Sequence, residues 1–205
     1  MSAAIYEFKG VGGWTQTASG QRFYHREPEG HNFRLYDIAH QLAQVNRYGG
    51  SCRFPYSVAQ HSVLMADYAL KHTGDPVVAL DCIFHDAAEA YLGDVKSPVK
   101  KDLPDYRELE DITDTAIRYA FVGVGLPLEQ TDFCKELDRR ITFDEKAQLM
   151  IPADLPWSLG PPQPLGIKIR RWSFEKSRRR YAQTATALAE LMVGSNAAHT
   201  MLWER

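Results

Sequence analysis

The run Asp75-Pro76-Val77-Val78-Ala79-Leu80-Asp81-Cys82-Ile83-Phe84-His85-Asp86-Ala87-Ala88-Glu89-Ala90-Tyr91-Leu92-Gly93 decides how this chain is read. It opens with a capping aspartate before a proline, a pairing that suits the first turn of a helix. Val77, Leu80, Phe84, Ala88 and Tyr91 recur at helical spacing, and Gly93 is a natural terminator. The pattern predicts one helix across the run. Its second half carries charge amid apolar neighbours. His85 and Glu89 are four residues apart and share a helical face, with Asp86 beside them. Burying one histidine and two acids in a single turn is costly unless something compensates. One divalent metal ion would do so. Imidazole nitrogen with carboxylate oxygen suits Mn, Fe, Co, Ni, Zn or Mg.

Two neighbours cannot complete a coordination sphere, so other segments must contribute. Upstream, Ser57 can cap a helix on which Val58, His61, Met65 and Tyr68 align, and His61 falls inside that apolar stripe. Downstream, a helix from about Leu128 to Met150 carries Phe133, Leu137, Ile141 and Leu149, with Asp138 between core-type residues. A histidine on such a face is more often a hydrogen-bonded core residue. An aspartate beside Arg139 and Arg140 is more often an ion-paired surface group. Both readings stand beside the metal reading at this point.

The remaining elements follow from the same rules. Trp14 to Thr17 and Gln21 to Tyr24 flank Ala18-Ser19-Gly20 and predict a short hairpin. Asp37 is expected to cap a helix with Ile38, Leu42 and Val45 on one stripe, ended by Gly49-Gly50. Residues 94–100 read as a loop containing Pro98. Pro104 opens a helix with Leu109, Ile112, Ala116 and Ile117. Pro152 to Pro164 excludes regular helix. Ser173 caps a final helix with Phe174, Tyr181, Ala185, Leu188 and Met192. The expected architecture is all-α and a single domain over 1–205. It divides into an N-terminal arm with the hairpin (1–35), a helical core (36–150), and a proline-rich loop with a C-terminal helix (151–205).

The chain has 205 residues, 44% of them hydrophobic, which suits one core. A formal net charge of −2 implies no nucleic-acid or anionic-membrane partner. The basic run of Arg170-Arg171 and Arg178-Arg179-Arg180 reads as a solvated helix face. No apolar run reaches spanning length, and no signal-peptide pattern opens the chain. Cys52, Cys82 and Cys134 are odd in number and form no CxxC pair, so reduced thiols and a cytoplasmic location are expected.

The chain resembles HD-domain metal-dependent phosphohydrolases. His61, then His85-Asp86, then Asp138 follow their H…HD…D order. Asn46-Arg47-Tyr48, Ser57-Val58-Ala59-Gln60-His61-Ser62, His85-Asp86-Ala87-Ala88-Glu89-Ala90 and Gly93-Asp94-Val95-Lys96-Ser97-Pro98-Val99-Lys100 look like successive motifs of the 5′-deoxynucleotidase branch. The likeness runs roughly from Asp37 to Met150. It implies the HD-domain helical fold, with His61, His85, Asp86 and Asp138 as metal ligands. It also implies that Arg47 grips a phosphate with its fork of donors. Glu89 would activate the attacking water or protonate the leaving oxygen. Asp94 would bind a sugar hydroxyl or order water, Lys100 would assist with charge, and Tyr48 would stack on the base. Gln60 stands where relatives often have Glu, and Tyr48 where they often have Trp; neither change removes a ligand.

The resemblance implies a nucleotide as the small-molecule substrate, most directly a deoxynucleoside 5′-monophosphate. A deoxynucleoside triphosphate triphosphohydrolase shares nearly the same ligand set and is the main alternative. A non-catalytic HD module that binds a nucleotide is the alternative from another class, and the intact ligands and Glu89 count against it. Guanosine tetraphosphate hydrolases resemble HDxxED here, whereas Ala90 follows Glu89. A cyclic-nucleotide phosphodiesterase needs further histidines, and the spacing of His31, His40, His72 and His199 does not supply them. The arm and C-terminal helix exceed what an HD core requires, and a homodimer or larger assembly is expected from them.

Overall fold

The computed structural model describes residues 12–155, 157, 160–161 and 163–203. The first part of the expected arm, residues 1–11, lies outside the described residues, as do a few positions of the proline-rich loop. The fold is all-α apart from one hairpin. Strand β1 (Trp14–Gln16) pairs antiparallel with β2 (Arg22–Tyr24), with Trp14 opposite Tyr24. The hairpin is fastened to the helical body by Phe23. That ring is fully buried and packs against His31, Phe33 and Tyr91, at centroid distances of 5.3, 6.4 and 4.5 Å.

Helix α1 spans Leu35–Leu42 and differs from expectation at both ends. Arg34, not Asp37, occupies the N-cap. Asp37 lies inside the helix, fully buried, where its carboxylate accepts bonds from the backbone NH and hydroxyl of Ser19 in the hairpin turn, at 2.6 and 2.7 Å. A carboxylate that finds two donors across the chain has no need to cap its own helix. Nor do Gly49-Gly50 end α1; they fall in a separate 3₁₀ turn, Arg47–Gly50.

Helix α2 (Val58–Thr73) begins as expected, with the Ser57 hydroxyl accepting from the NH of Gln60. Helix α3 (Pro76–Phe84) begins with the Asp75 carboxylate accepting from the NH of Val77. It then stops. The single helix expected over 75–93 is broken after Phe84, and only Glu89–Leu92 resumes as a one-turn helix, α4. Between them the backbone tightens to i→i−3 bonds, Ala87 to Phe84 and Glu89 to Asp86. The expected loop 94–100 ends in another short helix, α5 (Ser97–Lys100).

Helix α6 (Pro104–Phe121) opens on its proline. Helix α7 (Asp132–Leu149) starts some four residues later than expected, because the Thr131 side chain caps it. Helix α8 (Phe174–Val193) is capped by Ser173, as its sequence predicts, but it is not the last helix. Gly194 turns the chain at φ 81°, and α9 (Ser195–Trp203) follows. Helices α2 and α3 pair along their lengths, and α8 lies across α1, α2 and α3 to close the core. Among the described residues, no helix is long and apolar enough to cross a membrane. The three cysteines are all free.

One buried ion pair joins three helices. Arg118 of α6 is 1% exposed. It donates to Asp81 of α3 at 3.0 Å, to Asp114 at 2.7 Å and to the Pro127 carbonyl at 2.9 Å. The other oxygen of Asp81 accepts from the NH and hydroxyl of Thr131, at the start of α7. Removing one partner of such a pair leaves an uncompensated buried charge. Arg118→Ala is therefore expected to destabilise the fold by about 3–5 kcal/mol, read as a lowered midpoint in urea unfolding followed by circular dichroism.

Candidate metal centre

The helix break after Phe84 builds the site. His85 and Asp86 sit in the tight turns between α3 and α4, free of helical spacing, and both point at α2 and α7. The Nε2 atoms of His61 (α2) and His85 stand 3.3 Å apart. Asp86 Oδ2 lies 3.1 Å from His85 Nε2 and 3.8 Å from His61 Nε2. Asp138 Oδ1, from α7, lies 3.1 Å from His61 Nε2 and 3.9 Å from His85 Nε2. The four residues expected as metal ligands thus converge from three segments far apart in sequence.

The donor chemistry suits a cation. His85 Nδ1 lies 2.8 Å from the Cys82 carbonyl, which can only accept, so Nδ1 carries the proton. His61 Nδ1 lies 2.6 Å from Glu145 Oε1 and is fixed in the same way. The two Nε2 atoms then face each other, an arrangement that calls for positive charge between them, either a metal ion or the proton that Asp86 favours on His85. Two nitrogens 3.3 Å apart match two ligands each about 2.0–2.1 Å from one ion. Asp138 Oδ1 is buried with no aligned hydrogen-bond donor. His61, His85 and Asp86 form a group able to hold a metal ion.

Charges respond to this crowding. Burial opposes ionisation of Asp86, yet His85, Arg47 and His61 hold its carboxyl well below the usual carboxylate range. Burial also works against charge on His85, but Asp86 outweighs it and raises the imidazole well above its ordinary value. In the metal-free protein, that elevation adds stability below the ordinary histidine pKa, and the contribution is lost as pH rises through the raised value. A metal must displace the same proton, so metal affinity is expected to increase with pH.

Arg47 lies over the carboxylates. It donates to Asp86 Oδ2 at 3.1 Å and approaches Asp138 Oδ1 at 3.6 Å and Glu145 Oε2 at 3.4 Å. The next residue, Tyr48, has φ 60°, a left-handed conformation rare outside glycine. Its NH donates to Asp94 Oδ2 at 3.0 Å and its hydroxyl donates to Glu145. Asp94 therefore holds the turn that presents Arg47. Glu89 and Lys100 face each other at 4.0 Å on the adjoining side, with Lys100 also paired to Glu110. Glu89 is buried, and its Oε2 has no hydrogen-bond partner. Burial, then Asp86 and Asp94, push its carboxyl well above the ordinary value.

Glu145 is the residue that sequence reasoning missed. It is fully buried and accepts from His61, Tyr56 and Tyr48, with Arg47 beside it. A signal was present: Leu137, Ile141, Glu145 and Leu149 form an unbroken i, i+4 stripe in which only Glu145 is charged. Carboxylates behind a ligating histidine typically matter 10–100-fold for metal affinity. Glu145→Gln is expected to weaken binding by about tenfold or more with the helical content unchanged, read by titrating the metal-free protein with Co or Zn. His85→Ala should abolish binding in the same titration.

No family model matches the chain. Over 134 residues it is 36% identical to the uncharacterized protein YfdR of Escherichia coli strain K12, covering 65% of this chain and 71% of that protein. Over 121 residues it is 35% identical to an uncharacterized protein of Rhodobacter capsulatus, covering 56% of this chain and 59% of that one. At that identity and coverage, the chain belongs to the same family as the Escherichia coli protein YfdR.

Proposed function

We propose that the protein is a metal-dependent phosphohydrolase of the HD-domain class that acts on nucleotides, with a deoxynucleoside 5′-monophosphate as its preferred substrate. The observation that carries this reading is the convergence of His61, His85, Asp86 and Asp138 directly beneath the guanidinium of Arg47. When bound, a divalent ion supplies the positive charge that polarises a phosphate and acidifies water. The chain's own groups do the rest. Arg47 exchanges part of its pairing with Asp86 and Asp138 for two phosphate oxygens. Burial and the neighbouring Asp86 and Asp94 push the Glu89 carboxyl well above its ordinary value. It would give a proton to the leaving 5′ oxygen as a water oxygen takes its place on phosphorus, and would recover the proton that this water loses. Asp94 accepts from a sugar hydroxyl.

One observation favours a second reading. The side chain of Lys96 lies against Gly49, beside Tyr48, where a Cβ would collide with its Cε at 2.7 Å. A further exposed cation beside the Arg47–Tyr48 turn would suit the added charge of a triphosphate, so a triphosphohydrolase is the alternative.

The test is a panel of deoxy- and ribonucleotides at the mono-, di- and triphosphate level, with Mn, Co and Mg, reading products by chromatography. Inorganic phosphate and nucleoside from monophosphates are expected; triphosphate released from a deoxynucleoside triphosphate alone would move the assignment to the second reading. Glu89→Gln is expected to lose about 10²–10⁴-fold in turnover while keeping its metal, checked by elemental analysis of the same preparation. A homodimer belongs to the same proposal, and sedimentation should return a mass above the 23.3 kDa of one chain.

A further inference from the structure

Helix α7 presents two polar faces. Asp138 and Glu145, seven residues apart, point into the metal centre. Arg140, Asp144 and Gln148, spaced by four, hold the chain that leads into α8. Arg140 donates to the carbonyls of Gln163 and Pro164 at 3.0 and 3.3 Å. Asp144 accepts from the NH groups of Leu165 and Gly166 at 2.7 and 3.1 Å. Gln148 donates to the Ile167 carbonyl at 2.7 Å and accepts from the Ile169 NH at 2.9 Å. Further along, Gln60 on α2, next to His61, donates to the Arg170 carbonyl at 2.7 Å. Residues 163–170 are thus a strap clipped along the helix that supplies two site carboxylates.

The chain between the end of α7 and this strap carries Trp157. Its ring lies 5.6 Å from that of Tyr48, tilted by 44°, and Lys146 Nζ stands 5.2 Å over the indole. The guanidinium of Arg47 also lies against Tyr48, 5.4 Å from the centre of the phenol ring. Arg47, Tyr48 and Trp157 thus follow one another in contact beside the carboxylates of the site. The Tyr48 hydroxyl is committed to Glu145, so that ring cannot swing away without breaking this bond to a buried carboxylate. Trp157 is half-buried and makes its ring contact with this fixed phenol.

We propose that Trp157 is a specificity-determining residue: with Tyr48 it forms an aromatic rim on which the planar base of a nucleotide stacks while the phosphate sits at Arg47. This rests on the phosphohydrolase reading. The physical argument is the division of chemistry along the rim. A phosphate is met by Arg47 and the candidate metal ligands; the neutral, flat end of the same molecule meets the indole, which rests against a phenol held by Glu145. Stacking of this kind accepts any base and scales with ring area, so the rim selects for a base without choosing which.

Two probes separate the contributions: 2′-deoxyadenosine 5′-monophosphate, and 2-deoxyribose 5-phosphate, which has the same sugar and phosphate without the base. Binding is measured by calorimetry on the metal-loaded protein. Trp157→Ala is expected to lose about tenfold in affinity for the nucleotide and nothing for the sugar phosphate, and Trp157→Phe is expected to recover most of the loss. Trp157→Leu, which keeps apolar bulk without a ring, guards against a packing effect and should behave like the alanine variant. Equal losses for both probes, no loss for either, or full recovery in Trp157→Leu would overturn the inference. A wild-type protein that binds both probes equally would overturn it while leaving the phosphohydrolase reading intact. A wild-type protein that binds neither would remove both.

Discussion

A carboxylate buried without water must find its donors inside the protein, and Glu145 finds them on α2, on the chain just before it and on the Arg47–Tyr48 turn. One oxygen takes His61 and Tyr56, and the other takes Tyr48, with Arg47 alongside. Burial opposes its ionisation, but Arg47 and His61 hold the carboxyl below its usual value. A single anion thereby fixes the tautomer of His61, the ring of Tyr48 and the charge environment of Arg47. Had Glu145 been another leucine of its stripe, α7 would still pack. The orientation of His61 and of the Arg47–Tyr48 turn would have no common reference.

The second constraint is the loss of helical order at His85. In a continuous α-helix, His85 and Asp86 would diverge by about 100° around the axis. Across the turns after Phe84, His85 Nε2 and Asp86 Oδ2 nevertheless stand 3.1 Å apart, and both face α2 and α7. The Cys82 carbonyl, left without a continuing helix above it, accepts the Nδ1 proton of His85 instead. The same break that ends the helix therefore sets the histidine's tautomer.

The arm and the tail are parts of one body with the helical core. The hairpin is held by Phe23 in an aromatic cluster with His31, Phe33 and Tyr91, and by Ser19 on Asp37. The tail is held by three evenly spaced residues of α7. Each attachment has one buried carboxylate at its centre, Asp37 for the hairpin and Asp144 for the tail, which loses its donors if the attachment opens.

The sequence by itself determined the local events. Caps at Ser57, Asp75, Thr131 and Ser173 act through groups two or three residues away, and all four side chains accept a backbone NH in the structure; the first, second and fourth were legible as such. The hairpin, the helical class and the candidate residues His61, His85, Asp86, Asp138 and Arg47 could also be named from periodicity, residue chemistry and resemblance. Tertiary structure decided what depends on partners distant in the chain. Asp37 looked like a cap and became a clasp for the hairpin, because Ser19 offers two donors across 18 residues. The helix over 75–93 looked continuous because its apolar spacing is unbroken. Glu145 and Trp157 were not singled out, because what each of them meets lies far away in the chain. Periodicity reports which face of an element is buried; only packing decides what that face meets, and a buried charge is defined by what it meets.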